Sequence, residues 1–109
     1  MTYDLNLEQK LDRLSAQLGT FTKRNLFGGI GYLMNGNMVF GIHKQSLVIR
    51  ASRERAKELL TKDFISIFDI TGRPMIGWLM IAPDQMKTEK QISDLLHVAI
   101  DYVKTLPRK

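Results

Sequence analysis

Phe27-Gly28-Gly29-Ile30-Gly31-Tyr32-Leu33-Met34-Asn35-Gly36-Asn37-Met38 is the stretch whose reading decides the fold class of this chain. Two apolar runs meet at Asn35-Gly36, the dipeptide best suited to a type I′ turn, which requires two successive residues at positive φ. The stretch therefore reads as strand, tight turn, strand. An antiparallel hairpin at this position makes sheet the scaffold to which the rest of the chain must dock.

Downstream, the pattern predicts strands over residues 30–34, 38–42 and 47–51, the last two joined by His43-Lys44-Gln45-Ser46. Ser52 is the expected N-cap of a short helix running to residue 61, with Ala56, Leu59 and Leu60 as its buried stripe. Residues 64–70 and 75–82 read as two further strands around the turn Thr71-Gly72-Arg73-Pro74. Upstream, Leu7, Leu11, Leu14 and Leu18 recur with helical period over residues 5–18. Asp4 or Asn6 is the expected cap there, and Gly19 the stop, through a left-handed conformation. Residues 20–26 read as a polar, basic connector. At the far end Thr88 and Gln91 form a capping box ahead of the stripe Ile92, Leu95, Leu96, Ala99, Val103 and Leu106, and Pro107 ends the helix. The expected order is α-β-β-β-α-β-β-α: an α+β fold with a five-stranded antiparallel sheet in two layers.

At 109 residues the chain is expected to form one domain, residues 1–109, with one hydrophobic core. Apolar residues at 44% and charged residues at 25% are globular proportions. The absence of cysteine removes disulfides, thiolate chemistry and Cys-ligated zinc from consideration. No apolar run approaches the length of a membrane span, and Met1-Thr2-Tyr3-Asp4 does not open a signal peptide, so a cytoplasmic protein is expected. A net charge of +5 raises a nucleic-acid reading. The densest basic group is Arg50, Arg53, Arg55 and Lys57, interrupted by Glu54 and followed by Glu58. It reads first as a mixed-sign solvated helix face and second as a phosphate-binding strip.

Catalytic signals are weak. The glycine stretch lacks the third glycine of a dinucleotide fingerprint. It offers Asn37 and Met38 where a P-loop needs lysine and a hydroxyl, and it enters a strand rather than a helix N-terminus. His97 stands four residues before Asp101, as expected of an exposed helix pair, and His43 lies in a turn without a nearby carboxylate. Two separated histidines show no metal-ligand spacing, and no cofactor or metal is expected. Arg73 and Trp78 read as an exposed turn arginine and a core tryptophan, or alternatively as a recognition spot at a sheet edge with Arg73 pairing Asp69 or an acidic partner.

Three motifs together mark a family: the glycine segment Phe27 to Tyr32 with Asn35 to Met38, then Thr71-Gly72-Arg73-Pro74-Met75-Ile76-Gly77-Trp78, and the Leu106-Pro107 ending. On these the chain resembles the N-terminal domain of the TfoX/Sxy competence regulators. It resembles equally the small stand-alone proteins made of that domain. The resemblance implies a five-stranded antiparallel sheet with helices, similar to secretion-chaperone-like folds. Leu26 stands where the family often has methionine. Full-length competence regulators carry a second, helical C-terminal domain, expected to be lacking here, so control of competence genes is not carried over.

Strict alternation puts apolar side chains on both faces of three strands, more than three single-stripe helices suit. Gly31, Gly41 and Gly77 suggest a side shaved for the approach of another backbone. Either the first helix crosses to cover the second face, or that face meets another protein, most simply a second copy. The expected function is a small non-enzymatic interaction or regulatory module, a homodimer with Phe27, Tyr32, Met38, Phe40, Trp78 and Met80 at its interface. The alternative is a weak nucleic-acid binder using Arg50, Arg53, Arg55, Lys57 and Arg73. An enzyme with a pocket near Phe27 and Gly28 ranks third, and no small-molecule ligand is indicated.

Overall fold

Asp4 caps the first helix, α1 (Leu5–Leu18), its carboxylate accepting the amides of Asn6 and Leu7. At the other end Gly19 stops α1 with φ 160° and ψ −166°, an extended conformation rather than the expected left-handed one. This computed structural model describes residues 3–26, 29–68, 77–82 and 88–108. After α1 come β1 (Thr22–Leu26), β2 (Gly29–Met34), β3 (Asn37–His43), β4 (Ser46–Arg50), α2 (Arg53–Leu59), β5 (Ile65–Ile67), β6 (Trp78–Ile81) and α3 (Glu89–Val103).

The class is α+β, but among the described residues the antiparallel sheet has six strands, in the order β1-β2-β3-β4-β6-β5. The extra strand, β1, is the segment expected to be a connector. It forms an edge, its backbone paired among the described residues to β2 alone, with Thr22, Lys23, Arg24 and Asn25 exposed. Charged side chains on such an edge discourage pairing with other chains. Asn35 and Gly36 have φ of 54° and 80°, as the turn requires. The expected turn Thr71 to Pro74 lies outside the described residues.

The three helices of the described residues pack on the same face of the sheet. Ile30, Tyr32, Phe40, Ile42, Leu47, Ile49, Leu79 and Ile81 meet Leu7, Leu11 and Leu14 of α1, Ala56 and Leu59 of α2, and the stripe of α3 in one buried cluster. The alternative of α1 crossing to the far side is not realised. Burial of each large side chain in this cluster contributes about 1.5–3 kcal/mol. α3 lies over β3 and β4 and touches α1, with Arg13 paired to Glu89 between the two helices.

One irregularity redistributes the faces. Tyr32 pairs with Phe40 but Leu33 with Met38, so Val39 is the extra residue of a β-bulge. Val39 joins the helix-side core, with no exposure, and Met38 turns to the opposite face. There its methyl group stands 3.1 Å from where a Cβ on Gly41 would sit. Simple alternation would have left Met38 beside Phe40.

Candidate functional site

The face of the sheet away from the helices carries Leu33, Met38 and Met80, all half-buried, around Gly31 and Gly41. Val48, cross-strand from both Gly41 and Met80, is 2% exposed and lies outside the main core. Phe68, also 2% exposed, meets the His43 ring edge-on at 5.4 Å. Among the described residues no helix rests on this face. Gly41, one of the glycines expected to admit an outside backbone, serves the sheet itself. A Cβ on Gly41 would fall 2.3 Å from the Ile30 carbonyl oxygen of the neighbouring strand.

Of the expected interface residues, Met38, Trp78 and Met80 are half-buried, the two methionines facing away from the helices. Tyr32 and Phe40 are not available to a partner. They are 1% and 0% exposed, stacked on each other at 4.8 Å on the helix side, with Phe21 edge-on to Phe40 at 5.3 Å. The expected alternation holds along β2 and fails in β3, where the bulge carries Val39 into the core and turns Met38 away from Phe40; the face that holds Tyr32 and Phe40 is the one the helices cover. Phe27 lies outside the described residues.

Tyr32 is instead the centre of a polar tie between α1 and the β1–β2 edge. Its hydroxyl donates to Asp12 Oδ1 at 2.6 Å. Lys23 Nζ reaches Glu8 at 2.7 Å and Asp12 at 3.0 Å, and lies 5.7 Å from the centre of the Tyr32 ring. Tyr3 donates to the other oxygen of Glu8. Burial, then the hydrogen bond to Asp12 and the negative charges of Asp12 and Glu8, push the Tyr32 hydroxyl well above the ordinary tyrosine range. Burial alone would lower the Lys23 ammonium, but its bonds to Glu8 and Asp12 outweigh that and raise it. A tyrosine held neutral and a lysine held charged form a clamp, with neither group poised as a base.

The expected basic group divides. Arg53, Arg55 and Lys57 are exposed on α2, where Arg55 pairs with Glu58 at 2.6 Å. Arg50 ends β4 and turns to aromatic partners instead: its guanidinium carbon lies 5.2 Å from the Trp78 ring and 5.6 Å from that of Tyr102. Trp78 is thus half-buried beside Arg50, and Arg73 lies outside the described residues. Tyr102 was not singled out in the sequence, since it falls outside the apolar stripe of α3 and its contact with Arg50 is a tertiary one.

Between α2 and α3 runs a cleft in two lobes. One, of about 340 Å³, is lined by Leu59, Lys62, Phe64 and Leu95, and the other, of about 510 Å³, by Ser52, His97, Asp101 and Tyr102. Arg55, Asp94 and Val98 border both. His97 and Asp101 share the second lobe without forming the expected ion pair among the described residues. No group of three His, Asp or Glu side chains suited to a metal ion occurs among the described residues, and none of their helices is long and apolar enough to cross a membrane.

Comparison with curated proteins and with solved structures returns no significant match. A family model does match, over residues 12–102, from the middle of α1 to the last turn of α3. That model describes the TfoX N-terminal domain, and the chain belongs to this family.

Proposed function

We propose that this TfoX N-terminal domain is a non-enzymatic interaction module, working in a regulatory setting like that of its family, and that it self-associates through the sheet face opposite its helices. The observation that carries this reading is the placement of all three helices on one side. Leu33, Met38 and Met80 stand on the other with no helix against them among the described residues. Half-buried apolar side chains on one sheet face can meet the same residues of a second copy across a two-fold axis, and methionines adapt their packing to such a contact. Light scattering from micromolar to submillimolar concentration will report a dimer. Met38→Asp and Met80→Lys will give monomers with an unchanged circular dichroism spectrum. A wild-type monomer throughout that range rejects the proposal.

A second reading is favoured by the exposure of Arg53, Arg55 and Lys57 along α2. That strip would contact nucleic-acid phosphates weakly and without sequence preference. Its mark is affinity that falls steeply with salt and disappears on reversing Arg53 and Lys57 to glutamate. Absence of binding at low salt removes it.

A further inference from the structure

The helical layer is not closed between α2 and α3. The 340 Å³ lobe of the cleft there reaches down to Leu59 and Ile65, 6% and 5% exposed, with half-buried Phe64, Leu95 and Val98 beside them. Its charged rim is divided by element. Arg55 on α2 and Lys62 just beyond that helix bring positive charge to one wall, and Asp94 on α3 brings negative charge to the other. All three are exposed, yet no ion pair among the described residues spans the cleft. Glu58 engages Arg55 through Nη1, which leaves further guanidinium N–H groups to donate. Lys62 and Asp94 have no ion-pair partner among the described residues.

Walls of opposite charge over an apolar floor select for a molecule that carries both signs. A simple anion would meet Asp94 and a simple cation would meet Arg55 and Lys62, each with a repulsive contact. A zwitterion satisfies both walls at once, and an apolar body attached to it covers Leu59, Phe64 and Leu95. The adjoining lobe adds a second carboxylate, Asp101, to the α3 wall and so strengthens the preference for a cation on that side. The 340 Å³ lobe has the size of a small-ligand site. We propose that the α2–α3 cleft binds a small zwitterion with an apolar body, the chemistry of an α-amino acid with an aliphatic or aromatic side chain. Its carboxylate lies on Arg55 and Lys62 and its ammonium on Asp94. This site is on the helical side, apart from the sheet face assigned to self-association, and does not depend on it.

L-Leucine and L-phenylalanine are titrated near neutral pH at constant ionic strength while the methyl resonances of Leu59, Leu95 and Val98 are followed. Leucinamide, which lacks the carboxylate, and isocaproate, which lacks the ammonium, serve as single-charge analogues of leucine. The expected result is a saturable shift of these methyls with at least one amino acid, each analogue binding about fivefold more weakly or worse. Asp94→Asn is expected to weaken the amino acid about fivefold and to leave isocaproate no weaker. Lys62→Gln is expected to weaken the amino acid and isocaproate alike and to leave leucinamide no weaker. Arg53→Gln, on α2 but outside the cleft, is expected to keep binding within about twofold of wild type. These side chains are exposed, so their replacement spares the core. No saturable shift with either amino acid, shifts that leave all three methyls still, a single-charge analogue binding as tightly as leucine, or unchanged amino-acid binding in both Asp94→Asn and Lys62→Gln would each overturn the proposal.

Discussion

Asn37 donates its side-chain amide to the carbonyl of Pro107 at 3.0 Å, joining the first residue of β3 to the segment that follows α3. Asn37 is 2% exposed, and this bond explains a polar side chain at the mouth of an apolar core. It also connects two motifs that lie seventy residues apart in the sequence, the Asn35-Gly36-Asn37 turn and the Leu106-Pro107 ending. Asn37→Ala is expected to lower unfolding free energy by about 1–3 kcal/mol, since it strands a partner and leaves a small void. Asn37→Asp, which cannot donate while ionised, will cost at least as much near neutral pH. Part of that loss will return on acidification, when the carboxyl regains a proton to donate. Urea unfolding at two pH values checks both variants.

The Tyr32–Asp12 bond makes stability sensitive to alkali. Tyr32 ionises far less readily in the folded chain than in the unfolded one, so its contribution is fully present below the ordinary tyrosine range. As pH rises through and above about 10, the unfolded state releases a proton that the folded state retains. Stability therefore falls there, with a limiting slope from this group of about 1.4 kcal/mol per pH unit. Tyr32→Phe will flatten that alkaline slope. At neutral pH it will cost only about 1–2 kcal/mol, because the ring still stacks on Phe40. Urea unfolding from pH 7 to 11 on both proteins measures the difference.

How much of this was legible in the sequence depended on where the governing force was local. The Thr88 cap, the α1 cap narrowed to Asp4 or Asn6, the Asn35-Gly36 turn and most of the α3 stripe are each set within a few residues and are legible there, although Ile100 is also buried and Leu95 is only half-buried. β1 was missed because Thr22-Lys23-Arg24-Asn25 shows no apolar alternation. An edge strand is held by backbone pairing and needs no buried face of its own. The side of the sheet to which the helices dock, and the bulge at Val39, are tertiary choices of register with no local signature. For that reason Tyr32 and Phe40 were expected at a surface and lie in the core. Arg50 drew notice as one charge of a cluster, but its aromatic partners come from β6 and α3 and no spacing rule pairs them.

Gly41 separates a role inside the sheet from a role at an interface. An added Cβ would sit 2.3 Å from the Ile30 carbonyl oxygen and 3.2 Å from the Gly31 Cα, both backbone atoms that cannot swing away. Gly41→Ala is expected to destabilise the fold by about 3 kcal/mol or more, or to prevent folding, through overpacking of β2 against β3. Met38→Asp, on the same face, is expected to change association and leave the unfolding midpoint of the separated protomer nearly unmoved. Thermal unfolding at a concentration below dimer dissociation tests the pair. Equal effects of the two substitutions would mean that Met38 is as much a core residue as Gly41.

Thr88 governs how α3 starts. Its hydroxyl accepts the amide of Gln91 at 3.2 Å while the Gln91 side chain accepts the amide of Thr88 at 3.1 Å, a reciprocal capping box. The helix it opens carries Ile92, Leu96, Ala99, Ile100 and Val103 into the core. Fraying of the first turn therefore loosens Ile92 and the Arg13–Glu89 pair together. Thr88→Ala is expected to cost about 1 kcal/mol, and Thr88→Ser to stay within about half that, because serine keeps the acceptor. Hydrogen exchange at the Gln91 amide localises the effect: its protection should fall in Thr88→Ala and persist in Thr88→Ser, with the amide of Ala99, two turns deeper, changed only as far as global stability changes. Loss of protection spread evenly along α3 would mean that the box sets the stability of the whole helix rather than the order of its first turn.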